Sequence, residues 1–252
     1  MPVNPNNILF LDIETASQRE FYTELDSDAQ ALWSDHTRSR KIIKDPEQDT
    51  SETVYSRAAI YAEFGKIICV SCAYTTGDGE GRKLCVKSFC CDEEVELLRQ
   101  LHALLTQWGE TKDAQGRPCV RTDRFLCAHN GKEFDFPYIS RRMLINGIPL
   151  PEILNNYGKK PWEVMHLDTM ELWKFGDWKS YTTLNLLAHV FKVPSPKGDI
   201  DGSKVHDVYY KEKNLRRIVD YCEKDVETLT QVYLRMNGFP LVKQENVTVK
   251  YE

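Results

Sequence analysis

Two carboxylic acids, Asp12 and Glu14, end an apolar run in the segment ILFLDIET, residues 8–15. The run has the composition of a buried strand, and side chains two residues apart on a strand lie on the same face of the sheet. Two carboxylates held close together repel each other, and each raises the pKa of the other unless a cation joins them. A divalent ion such as Mg²⁺ or Mn²⁺ prefers these oxygen ligands. The alternative is that one acid caps a helix while the other is solvated.

Two further segments carry acids that could join this pair. The segment AHNGKEFDFPYI, residues 128–139, follows an apolar run and opens a helical pattern, which places Asp135 near the end of a strand. In DYCEKDVETL, residues 220–229, Tyr221 and Asp225 are four residues apart in a helical pattern and therefore share one face. Each has a structural alternative, because Asp135 could cap the following helix and amphipathicity alone could explain the Tyr–Asp spacing.

These residues need a scaffold that brings distant segments together. Apolar runs predict strands at 8–13, 66–74, 84–89, 125–129 and 164–169, the second and third paired as a hairpin. Helical patterns occupy 92–108, 136–146, 181–191 (with Ser180 as N-cap) and 212–236. Strands alternating with helices predict an α/β fold with a mixed central sheet flanked by helices. His166 and Asp168 end the last strand, where helix capping is the favoured interpretation.

A long insertion follows the first strand. Residues 16–63 are mostly polar with scattered aromatic residues, and we expect helices or an irregular flap there. The insertion contains the basic run RSRKIIK, residues 38–44. Both a solvated surface and contact with a substrate would explain this run. We otherwise expect residues 1–252 to form a single domain.

Composition and charge restrict the class of protein. The net charge of −5 disfavours a protein that holds long duplex DNA through its phosphates, so any contact with nucleic acid should be local or assisted by metal ions. No apolar stretch approaches the roughly 20 residues needed to span a membrane, and the start MPVNPNN lacks the features of a signal peptide. Cys69 and Cys72 should face opposite sides of a strand, and we expect the eight cysteines to be free thiols of a cytoplasmic protein.

The three acidic segments together resemble the three exonuclease motifs of the DEDD superfamily. DIET matches the first motif, residues 130–138 match N-x-x-x-F-D-x-P-Y, and YCEKD matches the third. The resemblance is to the proofreading exonuclease domain of family B DNA polymerases, and more closely to the stand-alone predicted exonucleases related to it. Order, spacing and residue identity agree over roughly residues 8–235.

This resemblance implies a ribonuclease H-like fold and a two-metal hydrolysis of phosphodiester bonds. Asp12 would bridge two Mg²⁺ or Mn²⁺ ions, Glu14 and Asp225 would complete one metal site, and Asp135 would hold the other ion through water. Two ions about 4 Å apart can activate the attacking water and stabilise the leaving 3′ oxygen.

The third motif implies the tyrosine form of the superfamily, DEDDy. In the histidine form a histidine lies five residues before the last Asp, and here that position is Asp220. Tyr221 occupies the tyrosine position as a further catalytic residue. A phenol with a pKa near 10 stays protonated at neutral pH, so we expect it to orient the attacking water.

The resemblance also implies the residues that contact the substrate, namely Thr15, His129, Asn130 and Phe134. Phe134 could equally belong to the core, whereas Phe134 and Tyr138 together could stack on terminal bases. The expected activity is 3′-5′ exonucleolytic release of nucleoside monophosphates from single-stranded or frayed DNA. The same acids would serve RNA or short oligonucleotides, and an inactive nucleic-acid-binding scaffold is the remaining alternative.

Overall fold

A mixed β-sheet forms the centre of the molecule. The computed structural model describes residues 2–45, 47–177, 181–194 and 200–250. Within these ranges six strands form one sheet, whose order across the sheet is β7 (Leu167–Asp168), β6 (Phe125–Ala128), β1 (Ile8–Ser17), β2 (Gly65–Thr76), β3 (Lys83–Cys90) and β8 (Val247–Lys250). The strands β1, β2 and β3 are antiparallel, while β6 is parallel to β1 and β8 is parallel to β3.

Helices cover both faces of this sheet. They are α1 (Ser27–Ser39), α2 (Glu94–Gly109), α3 (Asp135–Ile145), α4 (Thr169–Lys174), α5 (Leu184–Val190), α6 (Val205–Tyr210) and α7 (Leu215–Met236). The strands β4 (Glu110–Lys112) and β5 (Pro118–Val120) form a separate two-stranded sheet. The predicted α/β class, a ribonuclease H-like mixed sheet flanked by helices, is confirmed.

Alternate residues of β1 pack against different helices. Leu9, Leu11 and Ile13 are buried in a cluster with apolar residues of α2 and α3. Ile8 and Phe10 are buried in a second cluster with residues of α7. Burying both faces of one strand fixes its register, because a slip of one residue would exchange the two sets of side chains.

Several element boundaries differ from the predicted ones. β1 continues past Ile13 to Ser17, which pairs with Gly65. β7 has only two residues because the Asp168 side chain caps α4 immediately after it. Thr183 is the N-cap of α5, whereas the predicted cap, Ser180, lies outside the described residues.

The cysteines are free thiols, as predicted. Cys72 packs in the cluster beneath α2 and α3, and Cys69 packs in a cluster with residues of α6 and α7. The two side chains therefore point to opposite faces of β2. In the described part of the chain, no helix combines the length and the apolarity that crossing a membrane requires.

The connection between β1 and β2, residues 18–64, has a hydrophobic core of its own. It contains α1 and a 3₁₀ helix, Tyr55–Ile60, and its buried residues are Trp33, Ile42, Val54, Tyr55 and Ala58. The Trp33 side chain is fully buried, and its Nε1 donates to the carbonyl of Ser51 at 2.7 Å. We call this segment the β1–β2 insertion; it corresponds to the insertion predicted at 16–63.

A buried ion pair fixes the end of this insertion to the rest of the fold. Arg142 of α3 donates from Nε to Glu94 Oε1 at 2.9 Å, and its Nη1 donates to the carbonyl of Ala62 at 2.8 Å. The same Glu94 oxygen accepts from the backbone N–H of Ile67 at 2.7 Å. Both side chains of the pair are less than one-tenth exposed. Three segments distant in sequence therefore meet at one guanidinium–carboxylate pair.

Replacing Arg142 by Met should destabilise the fold strongly, since it leaves the Glu94 carboxylate buried without its partner. We expect the free energy of unfolding to fall by about 3–5 kcal/mol. Arg141→Met is the matched control, because Arg141 is the adjacent residue and is exposed; its effect should stay within about 0.5 kcal/mol. Urea unfolding measures both variants, and equal effects would contradict the assigned role of the buried pair.

Candidate active site

Helix α7 lies along the face of β1 that carries both acids of the first motif. Val226 of α7 packs with Phe10 at one end of the strand, and Cys222 packs with Ala16 at the other. Asp12 and Glu14 lie between these contacts and have the same even-numbered alternation. The packing of an amphipathic helix on a strand therefore brings the first and third motifs together.

The second motif reaches the same place through strand β6. β6 is parallel to β1, with Phe10 opposite Cys127, so the loop after β6 lies beside the acids of β1. Helix α3 begins at Asp135, where burial raises the pKa of the carboxyl and the nearby backbone N–H groups of Asp135 itself and of Ile13 partly offset that rise. The structure thus brings all four acids of the three motifs to one cleft of about 880 Å³.

A close group of possible ligands consists of Asp12 and Glu14, which line the cleft, and of Cys222, which is buried beside them. One potential ligand atom from each lies within 4.8 Å of the others. Asp135 and Asp225 are not members of this close group, but they line the same cleft, and their negative charges raise the pKa of Asp12.

The motif pattern does not predict Cys222 as a site residue, because its only signal is its position beside Tyr221. Its Sγ lies 3.4 Å from Asp12 Oδ2 and donates to that carboxylate. Burial raises the pKa of the thiol well above its usual value, so it stays protonated at neutral pH. Cys222 therefore acts as a hydrogen-bond donor that orients the Asp12 carboxylate.

Burial raises the pKa of every acid in the cleft. The pKa values of Asp12 and Glu14 lie well above their usual values, first because of burial and then because of the neighbouring carboxylates. Burial also raises the pKa of Asp135 to about 7 and that of Asp225 to about 6. A divalent cation would offset both the loss of water and the mutual repulsion. The donor set, dominated by carboxylate oxygens, fits a hard cation.

Tyr221 lies beside these acids and stays protonated. Its hydroxyl interacts with the Asp225 carboxylate. Burial, followed by the negative charges of Asp225 and Glu14, raises the pKa of the phenol well above its usual value. The hydroxyl therefore serves as a hydrogen-bond donor at any pH near neutrality.

The Asp168 carboxylate organises the loop of the second motif. It caps α4 by accepting from the backbone N–H of Met170 at 2.9 Å, which confirms the predicted capping role. It also accepts from the backbone N–H of Asn130 at 3.0 Å and of Lys132 at 3.1 Å. One buried side chain therefore fixes both a helix start and the loop that leads to Asp135.

This loop has an unusual backbone that the Asn-Gly pair permits. Asn130 has a φ of 64°, a conformation that asparagine tolerates better than most residues. At Gly131 a Cβ atom would come within 2.3 Å of the Ala128 Cβ. Asn130 nevertheless lines the cleft, as its predicted role in substrate binding requires.

His129 lines the cleft, but protein groups occupy both of its ring nitrogens. Nε2 lies 2.9 Å from the carbonyl of Thr182, and Nδ1 lies 2.8 Å from the hydroxyl of Thr169. A carbonyl can only accept, so Nε2 carries the proton and Nδ1 accepts from the hydroxyl. Burial lowers the pKa of this imidazole, which is therefore neutral. His129 holds the segment before α5 against the loop of the second motif.

The aromatic residues of the second motif have different positions. Phe134 is partly buried, packs on Tyr138 and also lines the cleft. Tyr138 is only 1% exposed, and its hydroxyl donates to the carbonyl of Ala59 at 2.7 Å. The interpretation of Tyr138 as a stacking surface is therefore wrong, because its ring is packed in the core. Thr15 lines the cleft beside the acids.

The β1–β2 insertion forms part of the wall of this cleft. Arg40, Lys41, Lys44 and Arg57 line it together with the four acids and Tyr221. From the sequence alone, the basic run could be either a solvated surface or a surface that contacts a substrate. The structure places three of its cations in the cleft.

A family model described as "Predicted 3'-5' exonuclease related to the exonuclease domain of PolB" matches residues 60–246, most of the chain. The chain belongs to this family. Members of an exonuclease family act on nucleic acid and generally use divalent metals. The match includes Asp135, Tyr221 and Asp225, whereas Asp12 and Glu14 lie before the matched residues.

A solved structure also resembles the chain. It is the family B DNA polymerase from the hyperthermophilic archaeon Pyrobaculum calidifontis, with a TM-score of 0.49 and 15% sequence identity. The alignment covers 92% of this chain and 25% of that chain, so the family member spans about a quarter of the polymerase's length. No curated protein sequence matches the chain.

Without divalent metal, the stability of this family member should depend on the ionisation of Asp135. Its pKa rises from a usual value of 3.8 to about 7 on folding, so the folded state binds the proton more tightly. The resulting stabilisation is present below about pH 4 and is lost as the pH rises through about 7. The side chain of the Asp135→Asn variant cannot ionise. The stability of this variant relative to the wild type should therefore increase as the pH rises from about 4 to about 7.

Urea unfolding in chelator at a series of pH values measures this difference. Asp123→Asn is the control, because Asp123 is exposed and lies outside the cleft. A stability difference between wild type and Asp135→Asn that does not change with pH would contradict the assignment.

Proposed function

We propose that the protein is a metal-dependent 3′-5′ exonuclease of the DEDDy type that removes nucleoside monophosphates from single-stranded or frayed 3′ ends of DNA. The observation that carries the proposal is the convergence of Asp12, Glu14, Asp135, Asp225 and Tyr221 on one cleft. Membership of the exonuclease family supports it. We further propose that residues 1–252 act as one exonuclease domain, in the cytoplasm, where free thiols persist.

Four carboxylates would hold the metal ions, which we propose to be two Mg²⁺ or Mn²⁺. Asp12, Glu14, Asp135 and Asp225 would supply the ligand oxygens, and Asp12 would be shared by the two ions because it lies beside Glu14 and within reach of the charges of Asp135 and Asp225. When bound, the ions would activate the attacking water and stabilise the leaving 3′ oxygen.

The remaining side chains position the reacting groups. The protonated Tyr221 hydroxyl orients the attacking water, and it cannot act as a base because its pKa is raised further above 10. Thr15, Asn130 and Phe134 line the cleft and would contact the terminal nucleotide. His129 would contribute through its fixed ring, since both of its nitrogens are engaged.

The shape and charge of the site favour a single strand. Asp12 and Glu14 lie in the middle of β1, and all four acids are buried or half-buried, so paired bases reach them less readily than a frayed end does. Tight binding of long duplex DNA uses many contacts between basic side chains and phosphates, and a protein of net charge −5 is poorly suited to provide them. RNA and short oligonucleotides share the phosphodiester chemistry and are the second candidate substrates.

A circular single-stranded DNA tests the direction and the metal dependence together. With Mg²⁺, a linear strand labelled at its 5′ end should shorten stepwise, while a circle of the same sequence should persist because it has no 3′ end. Chelation should stop the reaction, and Mg²⁺ or Mn²⁺ should restore it. Product lengths on a denaturing gel provide the measurement.

The Asp12→Asn variant is the control for contaminating nucleases and should be inactive on the linear strand. Equal loss of circle and linear strand would indicate an endonuclease. Undiminished cleavage in excess chelator would contradict the metal mechanism. A matched RNA strand in the same assay determines which polymer is preferred.

The Tyr221→Phe variant tests the role of the hydroxyl. It removes one donor and leaves all four carboxylates, so metal and DNA binding should persist while kcat falls about 10- to 1,000-fold. Tyr157→Phe is the matched control, since Tyr157 is 79% exposed and lies outside the cleft. If saturating metal restores the rate of Tyr221→Phe, the tyrosine supports the ligands and does not position water.

A further inference from the structure

The basic run of the β1–β2 insertion is concentrated in a short segment of an acidic protein. Residues 38–44 contain four cations and no acid. Arg38 pairs with Asp35 within α1. The other three, Arg40, Lys41 and Lys44, line the cleft that holds the motif acids.

These three cations form no ion pair in the part of the chain that the structure describes, although Asp49 lies close enough to Lys44 that backbone hydrogen bonds and then the Lys44 charge lower the pKa of that carboxyl. All three are exposed, and within the described ranges none has a carboxylate oxygen at ion-pair distance. They share a concave surface with the acids without pairing with them. Unpaired cations on a concave surface create a local positive potential that attracts anionic ligands.

The segment that carries these cations is fixed in place. Ile42, in the middle of the run, is 7% exposed and packs in the core of the insertion with Trp33. Its carbonyl accepts a hydrogen bond from Arg57 Nη1 at 2.9 Å. The neighbouring Ala59 carbonyl is bound by the Tyr138 hydroxyl, which belongs to the core beneath the sheet. The cations therefore form a preorganised surface, which lowers the entropy lost on binding a ligand.

We propose that Arg40, Lys41 and Lys44 bind backbone phosphates of the substrate strand beyond the scissile phosphate, so that the insertion acts as a phosphate-binding wall. The identity of the strand rests on the proposed exonuclease function. The motif acids can attract a phosphate only through metal ions, and they repel the phosphates that follow it. An acidic enzyme needs separate cations for those phosphates, and these three lie in the same cleft.

The wall recognises charge and not sequence or sugar. Lysine and arginine contacts to phosphates position a strand without reading its bases. Phe134 before α3 and Tyr181 before α5 line the cleft outside the insertion, and Tyr61 of the insertion also lines it. Bases can stack on Phe134 and Tyr181 while the phosphates contact the cations of the insertion. The wall should therefore contribute equally to binding of DNA and of RNA.

Fluorescence anisotropy in chelator tests the wall without hydrolysis. The probe is a fluorescein-labelled single-stranded oligothymidylate of about 12 nucleotides. Changing Arg40, Lys41 and Lys44 together to Gln should weaken binding about 10- to 100-fold at low salt. The slope of log K against log salt should fall in magnitude by about 2, at roughly 0.7 for each phosphate contact in a single strand.

A matched triple variant separates the wall from net charge. Lys83, Arg99 and Lys112 are exposed, lie outside the cleft and give the same change of charge when replaced by Gln. This control should keep more than about half of the wild-type affinity and its salt slope. Equal losses in the two triple variants, or no loss in the first, would overturn the proposal.

The single variant Lys44→Gln distinguishes a lost phosphate contact from misfolding. Lys44 is exposed and lies outside helix α1, so its replacement should leave the fold intact. It should keep the wild-type unfolding midpoint and reduce the salt slope by about 0.7. An unchanged slope in this folded variant would overturn a contact by Lys44. Because binding is measured in chelator, this result is independent of whether the strand is cleaved.

A matched oligouridylate should show the same changes, and an effect confined to DNA would contradict recognition by charge.

Discussion

The burial of several carboxylates beside one strand is the constraint on which the rest of the structure depends. Each acid in the cleft has a raised pKa, which means that the folded chain holds these negative charges at a cost in free energy. The cost is tolerated because β1 is buried on both faces. Leu9 and Leu11 pack on one side, and Ile8 and Phe10 pack on the other. The free energy gained by burying the apolar side chains of β1 thus offsets the cost of burying the carboxylates beside them.

Buried polar side chains then connect elements that are distant in sequence. Asp168 joins the loop of the second motif to α4, and His129 joins that loop to the segment before α5. Arg142 joins α2, α3 and the end of the insertion. In each case the donors and acceptors are satisfied inside the protein, so the connection is rigid. Rigid support is what an active site needs if its charged groups are to keep their positions despite repulsion.

The parts of the fold that local patterns determine could be predicted from the sequence. The apolar run of β1 and the helical periodicity of α2, α3 and α7 identified these elements to within a few residues, and β1, α3 and α7 hold all four motif acids. The parts that depend on distant partners could not be predicted. β8 pairs with β3, more than 150 residues earlier in the chain. The burial of Tyr138 depends on a carbonyl 79 residues away, and no motif position contains that information. Likewise, the direction of the basic run depends on the packing of Ile42.

The insertion has a hydrophobic core of its own, and its two ends meet beside the sheet. There the backbone N–H of Gln18 donates to the carbonyl of Phe64 at 3.0 Å, which brings the two ends of the segment together. Its surface residues do not contribute to the packing of the catalytic sheet. Mutations there can accumulate without altering the carboxylates, so the segment is a module in the evolutionary sense. With the proposed function, the strength with which a strand is held and the chemistry of its cleavage can therefore evolve separately in this chain.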